Sequence, residues 1–452
     1  MKFSFENFGF IDHGTLELGD LTVICGPNNV GKTYLSHAVH GLVLEASKFV
    51  DFAVADELID KLYKDGVITI DLSAYSDSLP CYLESISKTF TSNIASFFSV
   101  DDDYFANTKV EVLPEGLSYA FSEEINHTIH VGTHNEIVYR KPKDSSELCI
   151  AYISKNNDQP QDNIPKYMLL SLIKQILNLC LITPIFRPTC PITSDRTGII
   201  LFQKQLDLNM SSFTCSAPLS ERLHQTRGSV FNYPEPTSYN LNLVRSFETI
   251  SNKKSFISSN LKYQCILDAL SDLMQGTCKI INQKLVYLSH VDKTRDAVHV
   301  PIYLASSSVK SLALIELYIR SIANIGDMLL IEEPELGLDL ICQAKMAALI
   351  SMLVNAGIKV LITTHSDTIL REINNRIMLS CDIADKESIM HSANISHDEI
   401  LSCGAVKAYY VNSDHTLQHA PINKYGVDIS EIDAIIRHSN AVSNDIFYSI
   451  DE

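Results

Sequence analysis

Polar and apolar residues alternate through the first 25 positions. This period of two predicts strands at Lys2–Asn7, Gly14–Leu18 and Leu21–Cys25, the last two as an antiparallel start. From Leu35 to Leu44 the apolar positions take helical spacing, which continues through Glu45–Lys64. Between about Tyr75 and Ile164 the pattern weakens into a stretch rich in Ser, Asn and Asp, with short strand-like pieces at Lys109–Val112 and Leu148–Ile153. A strong helix returns at Lys166–Leu179 and runs into the apolar segment Leu181–Phe186. Beyond Ser194-Asp195-Arg196-Thr197-Gly198 and Ile199–Leu206, a second helical stretch covers Thr237–Gln283, with apolar positions at Leu261, Ile266, Leu270 and Leu273. No heptad is sustained, which argues against a long coiled-coil arm.

The last third is more regular. Ala305-Ser306-Ser307-Ser308 places hydroxyls ahead of an amphipathic helix through Val309, Leu312, Ile315, Ile319 and Ile322. Asp327–Ile331 reads as a buried strand running into two acids, and Leu340–Val354 as a helix closed by Asn355-Ala356-Gly357. Ile358–Thr363 is another buried strand, ending in Thr364-His365-Ser366, and Ile429–Ser439 is a final helix. Strand, helix and strand at short spacing imply a parallel sheet, hence an α/β fold.

Composition narrows the setting. At 452 residues and 46% apolar content, the chain can build two or three domains around a real core. Lys and Arg number 36 against 54 Asp and Glu, a net charge of −18, which removes any global attraction to nucleic acid. Local basic runs remain at Arg140-Lys141-Pro142-Lys143 and Lys253-Lys254, each read as a solvated loop. The 11 cysteines form no C-x-x-C pair; scattered among apolar residues (Cys25, Cys180, Cys342), they read as reduced, buried thiols of a cytoplasmic protein. Met1–Glu6 lacks the apolar core of a signal peptide and no run reaches membrane-spanning length, so no membrane partner is expected.

The candidate chemistry centres on Gly26-Pro27-Asn28-Asn29-Val30-Gly31-Lys32-Thr33, a complete G-x-x-x-x-G-K-[ST] phosphate loop between a strand and a helix. Its glycines let backbone N–H groups turn toward phosphate oxygens at a helix N-terminus. Lys32 is expected to reach the β- and γ-phosphates of ATP, and the Thr33 hydroxyl to ligate Mg²⁺. After the buried strand at 327–331, Glu332 is expected to orient Mg²⁺ and Glu333 to polarise the attacking water. His365, after the next strand, is placed to sense the γ-phosphate. His391 and His397 beside Asp398 and Glu399 carry metal-ligating residue types, but their setting reads as a polar loop.

On these residues the chain resembles the ABC-type ATPase heads, a class that includes SMC and RecF-like proteins. The stretch Glu333-Pro334-Glu335-Leu336-Gly337-Leu338-Asp339 has the spacing from the Walker B glutamate to the D-loop aspartate, Asp339. Leu304–Val309, with Ser306, Ser307 and Ser308, sits where the signature motif belongs. The resemblance implies that one protomer's signature meets the γ-phosphate held by the other, so that ATP drives dimerisation. The closer resemblance is to the OLD-like AAA-family ATPases of bacterial anti-phage defence, carried by Phe8-Gly9, Gly26–Thr33, Ser194–Gly198, Ala305–Leu312 and Leu329–Ser366. It covers about half the chain. It implies an ATPase head with a mixed antiparallel N-terminal sheet and a parallel core, made of 1–44, 181–206 and 285–452, with a mixed insertion at 45–180 and a helical one at 207–284.

Three departures stand out. Glu332 replaces the usual Walker B aspartate, Ser308 stands where a signature glycine is common, and Gln203, Gln205 and Arg196 all remain candidates for the Q-loop. The added methylene at Glu332 suits slow hydrolysis, hence a switch rather than a motor. OLD nucleases carry a Toprim domain; the 86 residues after Ser366 hold Asp382, Asp385, Asp398 and Asp414 without a D-x-D pair, so no nuclease is expected in cis. The resulting expectation is a sensor or scaffold ATPase, a homodimer or higher homo-oligomer. It would hold a separately encoded effector, a Toprim-like or HNH nuclease, until a phage-derived trigger arrives. The alternative is a RecF- or SMC-like repair ATPase that clamps DNA, which the −18 charge disfavours. A transporter ATPase fits neither the large insertions nor the divergent signature.

Overall fold

All five residues of Leu21–Cys25 are buried, as a strand requires when both faces of its sheet are covered. In the computed structural model this segment is the third strand, β3, after β1 (Lys2–Phe8) and β2 (Ile11–Glu17). Residues 1–48, 50–119, 121–131, 135–154, 164–202, 233–282, 284–289, 298–428 and 430–450 are described. The chain divides into two units: a smaller one of Met1–Phe5, Gly41–Ile94 and Thr108–Pro188, and a larger one of Glu6–His40, Ala95–Asn107 and Thr189–Glu452.

The chain runs from β3 through the phosphate-loop sequence into α1 (Lys32–Ser47) and then into the smaller unit. Here α2 (Asp56–Asp65) precedes β4 (Val67–Asp71), followed by α3 (Leu79–Phe98) and β5 (Lys109–Leu113). Next come β6 (Ile125–Val131), β7 (Asn135–Lys141), β8 (Glu147–Ser154) and α4 (Lys166–Leu181). The order β4-β8-β7-β6 makes an antiparallel sheet. The helical spacing expected through Glu45–Lys64 breaks after Ser47 and resumes at Asp56. Where the pattern weakened, α3 is a 20-residue helix. It buries Leu83, Ile86, Phe90 and Ile94, while Ser87 and Thr89 turn their hydroxyls back onto the carbonyls of Leu83 and Ser85. These self-satisfied hydroxyls are what give the sequence its loop-like look. Lys141 is no solvated loop residue either: it is buried and donates to the carbonyls of Phe121 (2.6 Å) and Pro142 (3.2 Å).

In the larger unit β9 (Thr189–Ile192) leads to α5 (Glu235–Arg245), α6 (Phe247–Ser251), α7 (Phe256–Ser259) and α8 (Gln264–Met274). Then follow β10 (Gly276–Ile281), β11 (Lys284–Ser289), β12 (Val298–Pro301), α9 (Ser307–Leu317) and β13 (Met328–Glu332). The chain continues through α10 (Leu340–Asn355), β14 (Lys359–Thr364) and α11 (Asp367–Met378) to β15 (Val406–Val411) and β16 (Thr416–Ala420). A helix at Ser430–Ile450 ends the described chain and is longer than expected. Residues 233–282 pack within the larger unit, and they are not helical throughout, since β10 pairs antiparallel with β11.

Across the larger unit the strands run β2-β16-β15-β3-β14-β13-β9. β15, β3, β14, β13 and β9 are mutually parallel, and β16 is antiparallel to β15. This is an α/β fold with a parallel core and a mixed edge. The antiparallel pairing expected of β2 with β3 does not occur, because β15 and β16, almost four hundred residues later, lie between them. The core against this sheet joins Val23, Ile192, Leu329, Ile331 and Ile362 of the strands to Leu312, Ile315 and Ile350 of α9 and α10. Every described cysteine is free, and Cys342 is half-buried rather than buried. Among the described residues no helix is long and apolar enough to cross a membrane.

Candidate functional site

The strand register brings the predicted residues to one sheet edge. Cys25 aligns with Thr364 on β14, whose neighbour Thr363 aligns with Glu332 on β13. The chain therefore leaves three parallel strands side by side, at the carboxyl ends where open α/β sheets bind ligands. From β3 it enters Gly26–Thr33, where Gly26 (φ +143°) and Gly31 (φ +104°) adopt backbone angles that side chains disfavour. A Cβ on Gly26 would stand 2.4 Å from the Val411 carbonyl, so the loop start is shut against β15 and takes only glycine. Asn29 adds a third left-handed turn at φ +64°.

Lys32 opens α1 and is buried, its ammonium donating to the carbonyls of Gly26 (2.9 Å) and Pro27 (2.5 Å). Burial pushes its pKa down from 10.5, while Glu333, Cys25 and Glu335 hold it up. Thr33 is exposed at the head of the helix, and Pro27, Asn28 and Asn29 are exposed along the loop.

Glu332 is buried, and both of its oxygens are engaged. Oε1 accepts from Ser36 Oγ (3.1 Å) and lies 2.6 Å from His37 Nε2; Oε2 accepts from the Ser194 N–H at 3.1 Å. The His37 contact lies off the line of a hydrogen bond. Burial raises the Glu332 pKa, yet His37, Ser194 and Ser36 together bring it below the ordinary 4.5. A depressed native value means that the carboxylate's stabilisation is complete above about pH 4.5 and is lost as pH falls through the lower native value. The difference in urea midpoint between wild type and Glu332→Gln is therefore expected to be constant above the ordinary carboxylate value of 4.5 and to shrink as the pH is taken below it.

Glu333 sits at φ +45°, a left-handed conformation costing a non-glycine residue about 1–3 kcal/mol. Its N–H donates to the Thr363 carbonyl (2.9 Å), and its carbonyl accepts from Arg196 Nη2 (2.7 Å). The strained turn is thus fixed at both ends, and it sets where the half-exposed carboxylate points. Glu335, two residues on, is buried and accepts from the Thr364 hydroxyl (2.9 Å) and the His365 N–H (2.9 Å). One of its oxygens also lies 3.3 Å from His365 Nδ1, leaving Nε2 as the nitrogen open to a ligand.

Arg196, one of the three Q-loop candidates, takes a role that the sequence did not announce. Fully buried, it donates from Nε to the Ser311 carbonyl (3.0 Å), from Nη1 to those of Thr193 (3.0 Å) and Glu332 (2.7 Å), and from Nη2 to that of Glu333. Burial pushes its pKa down to about 10, offset by Glu332, Glu333 and Glu335. One guanidinium therefore ties the acidic strand end to α9. Arg196→Met would remove all four side-chain hydrogen bonds from the buried strand end, and a loss of about 3–5 kcal/mol of unfolding free energy is expected by urea titration. Gln203 and Gln205, the other Q-loop candidates, lie outside the described residues.

Ser306 caps α9, accepting from the Val309 N–H at 3.3 Å, and its hydroxyl lies 2.8 Å from that of Ser308. Gly337, at φ +73°, passes so close to Ser307 that a Cβ there would stand 3.3 Å from its backbone. The turn at Gly337 and the serine-rich helix start thus pack together. Asp339 is exposed and caps α10, accepting from the Cys342 N–H at 2.8 Å. Among the described residues no group of three His, Cys, Asp or Glu could hold a metal, and His397 instead contacts Glu387 at 3.2 Å. Magnesium at a phosphate loop needs few protein ligands, and here the donor set suits it: the exposed Thr33 hydroxyl can bind directly, and the anchored Glu332 through water.

Ser36 and His37 went unread in the sequence, and Ser194 and Glu335 were named there without a role of their own. The first two could have been found, since Thr33, Ser36 and His37 share one helix face.

Fold and site together set a complete phosphate-loop sequence at the carboxyl edge of a parallel sheet, the place where such a loop holds phosphate. A family model described as "AAA domain, putative AbiEii toxin, Type IV TA system" matches residues 254–371, about a quarter of the chain, from Lys254 past His365. No curated protein matches. Among solved structures, the chain is similar to an SMC head bound to the C-winged helix domain of ScpA. That match has 12% identity and a TM-score of 0.33, and covers 92% of this chain and 96% of that one. A second is the SMC head domain from Thermotoga maritima (10%, 0.31, covering 93% and 98%). A third is an SMC head with an extended coiled coil bound to the C-terminal domain of ScpA derived from Pyrococcus furiosus (11%, 0.31, covering 97% and 98%).

Proposed function

We propose that this chain binds and hydrolyses Mg·ATP as the switch of an anti-phage defence system, self-associating through ATP and controlling a separately encoded effector. Lys32 grips the β- and γ-phosphates, Thr33 and Glu332 place Mg²⁺, Glu333 activates water and His365 Nε2 meets the γ-phosphate. The observation that carries the switch reading is the surface around the start of α9. Beside the exposed serines, Tyr303 (62%), Leu304 (69%), Leu340 (68%) and Ile341 (71%) are open to solvent. Large apolar side chains rimming an anion-suited helix start favour a partner protomer there. The matched family's description names a putative toxin of a Type IV TA system. The net charge of −18 favours a protein partner over DNA.

The test is to purify tagged Glu333→Gln protein with ATP from its own host and identify what accompanies it. A stoichiometric small protein whose removal abolishes phage protection supports the reading. Bound DNA with no protein companion would move the assignment to a repair clamp.

A further inference from the structure

Away from the phosphate loop, α6, α7, β10 and the end of α9 border an open cavity of about 570 Å³. Four cations and two carboxylates line it: Lys253 and Lys254 from the α6–α7 connection, Lys279 from β10, Arg320 from the turn after α9, and against them Glu248 of α6 and Glu316 of α9. The Arg320 charge is already spent. Its Nε donates to the buried Glu316 at 2.8 Å and its Nη2 to Ser271 Oγ at 3.1 Å. Glu316 is itself satisfied, accepting also from Thr277 Oγ1 (2.5 Å) and the Cys278 N–H (2.8 Å). The three lysines are exposed, and among the described residues none has an ion-pair or side-chain hydrogen-bond partner. In a chain of net charge −18, three unpaired ammonium groups around one cavity oppose the average field.

We propose that this cavity is a second anion site, taking a small phosphate-bearing molecule with Lys253, Lys254 and Lys279 as its charge contacts. Its volume lies in the range of small-ligand sites and is too small for a duplex. Ammonium groups act as point charges suited to the several oxygens of a phosphate, and the one guanidinium of the lining is already tied to Glu316. Asn252 and Ser251 at the rim add neutral polar groups. The phosphate loop contributes nothing to this lining. The floor, Glu316 and Leu317, is the last turn of α9, which begins at the signature serines about 16 Å away.

The test uses full-length Lys32→Ala protein, to silence the phosphate loop, with inorganic pyrophosphate titrated calorimetrically. One saturable site is expected, weakened at least about tenfold by K253E/K279E. A control with the same change in net charge, K61E/K386E, is expected to shift it less than about twofold. Lys61, Lys253 and Lys279 are exposed and Lys386 is half-exposed, so the reversals leave the core intact. Absence of saturable binding, or equal loss in both double variants, would overturn the proposal. So would K253E/K279E-sensitive binding of a single-stranded oligonucleotide without binding of pyrophosphate, which would make the cavity part of a nucleic-acid groove.

Discussion

Lys32→Ala protein is expected to fold and to have lost ATP binding by at least about a hundredfold, read by calorimetry with Mg·ATP. The lysine is buried among loop carbonyls, donating to those of Gly26 and Pro27. Burial lowers its pKa, and the nearby carboxylates of Glu333 and Glu335 oppose that shift. Alanine removes the only side-chain cation of the loop, so the phosphates would keep backbone N–H groups and lose their charged partner. Because alanine is the best helix former, α1 still starts at the same position and a change in circular dichroism is not expected.

Glu333→Gln is expected to keep ATP affinity within about threefold while hydrolysis falls by about 10²–10⁴, the usual worth of a positioned general base. Direction here comes from the backbone. The N–H bond to Thr363 and the Arg196 bond to the Glu333 carbonyl hold the left-handed turn whichever side chain it bears. Glutamine fits the same space but cannot take a proton from water. Equal steady-state ATPase rates for the two proteins would remove Glu333 from the catalytic role.

What could be read in the sequence was local. Gly26–Thr33 is one run whose glycines, lysine and threonine specify the loop without reference to the rest of the chain. β13, α10 and β14 were legible because unbroken apolar runs of strand length flank a helical one. The missing parts depend on distant partners. The neighbour of β3 on one side is β15, and the shape that forces glycine at position 26 is the carbonyl of Val411. Arg196 binds only backbone carbonyls, 3 to 137 residues away, so no side-chain pattern announces it. Glu335 was visible within the E-P-E run, but its work, holding Thr364 and His365, appears only when β14 lies beside β13. The Lys253-Lys254 pair read as solvent-facing until β10 brought Lys279 to the same cavity.

The central claim is that ATP bound at this sheet edge drives self-association through the serine-rich start of α9. It is tested most directly by sedimentation velocity of Glu333→Gln protein with Mg·ATP and with Mg·ADP. The account predicts a larger assembly with ATP only, reverted to the ADP form by Ser306→Arg, which keeps the P-loop intact. An unchanged mass while ATP is demonstrably bound would contradict it.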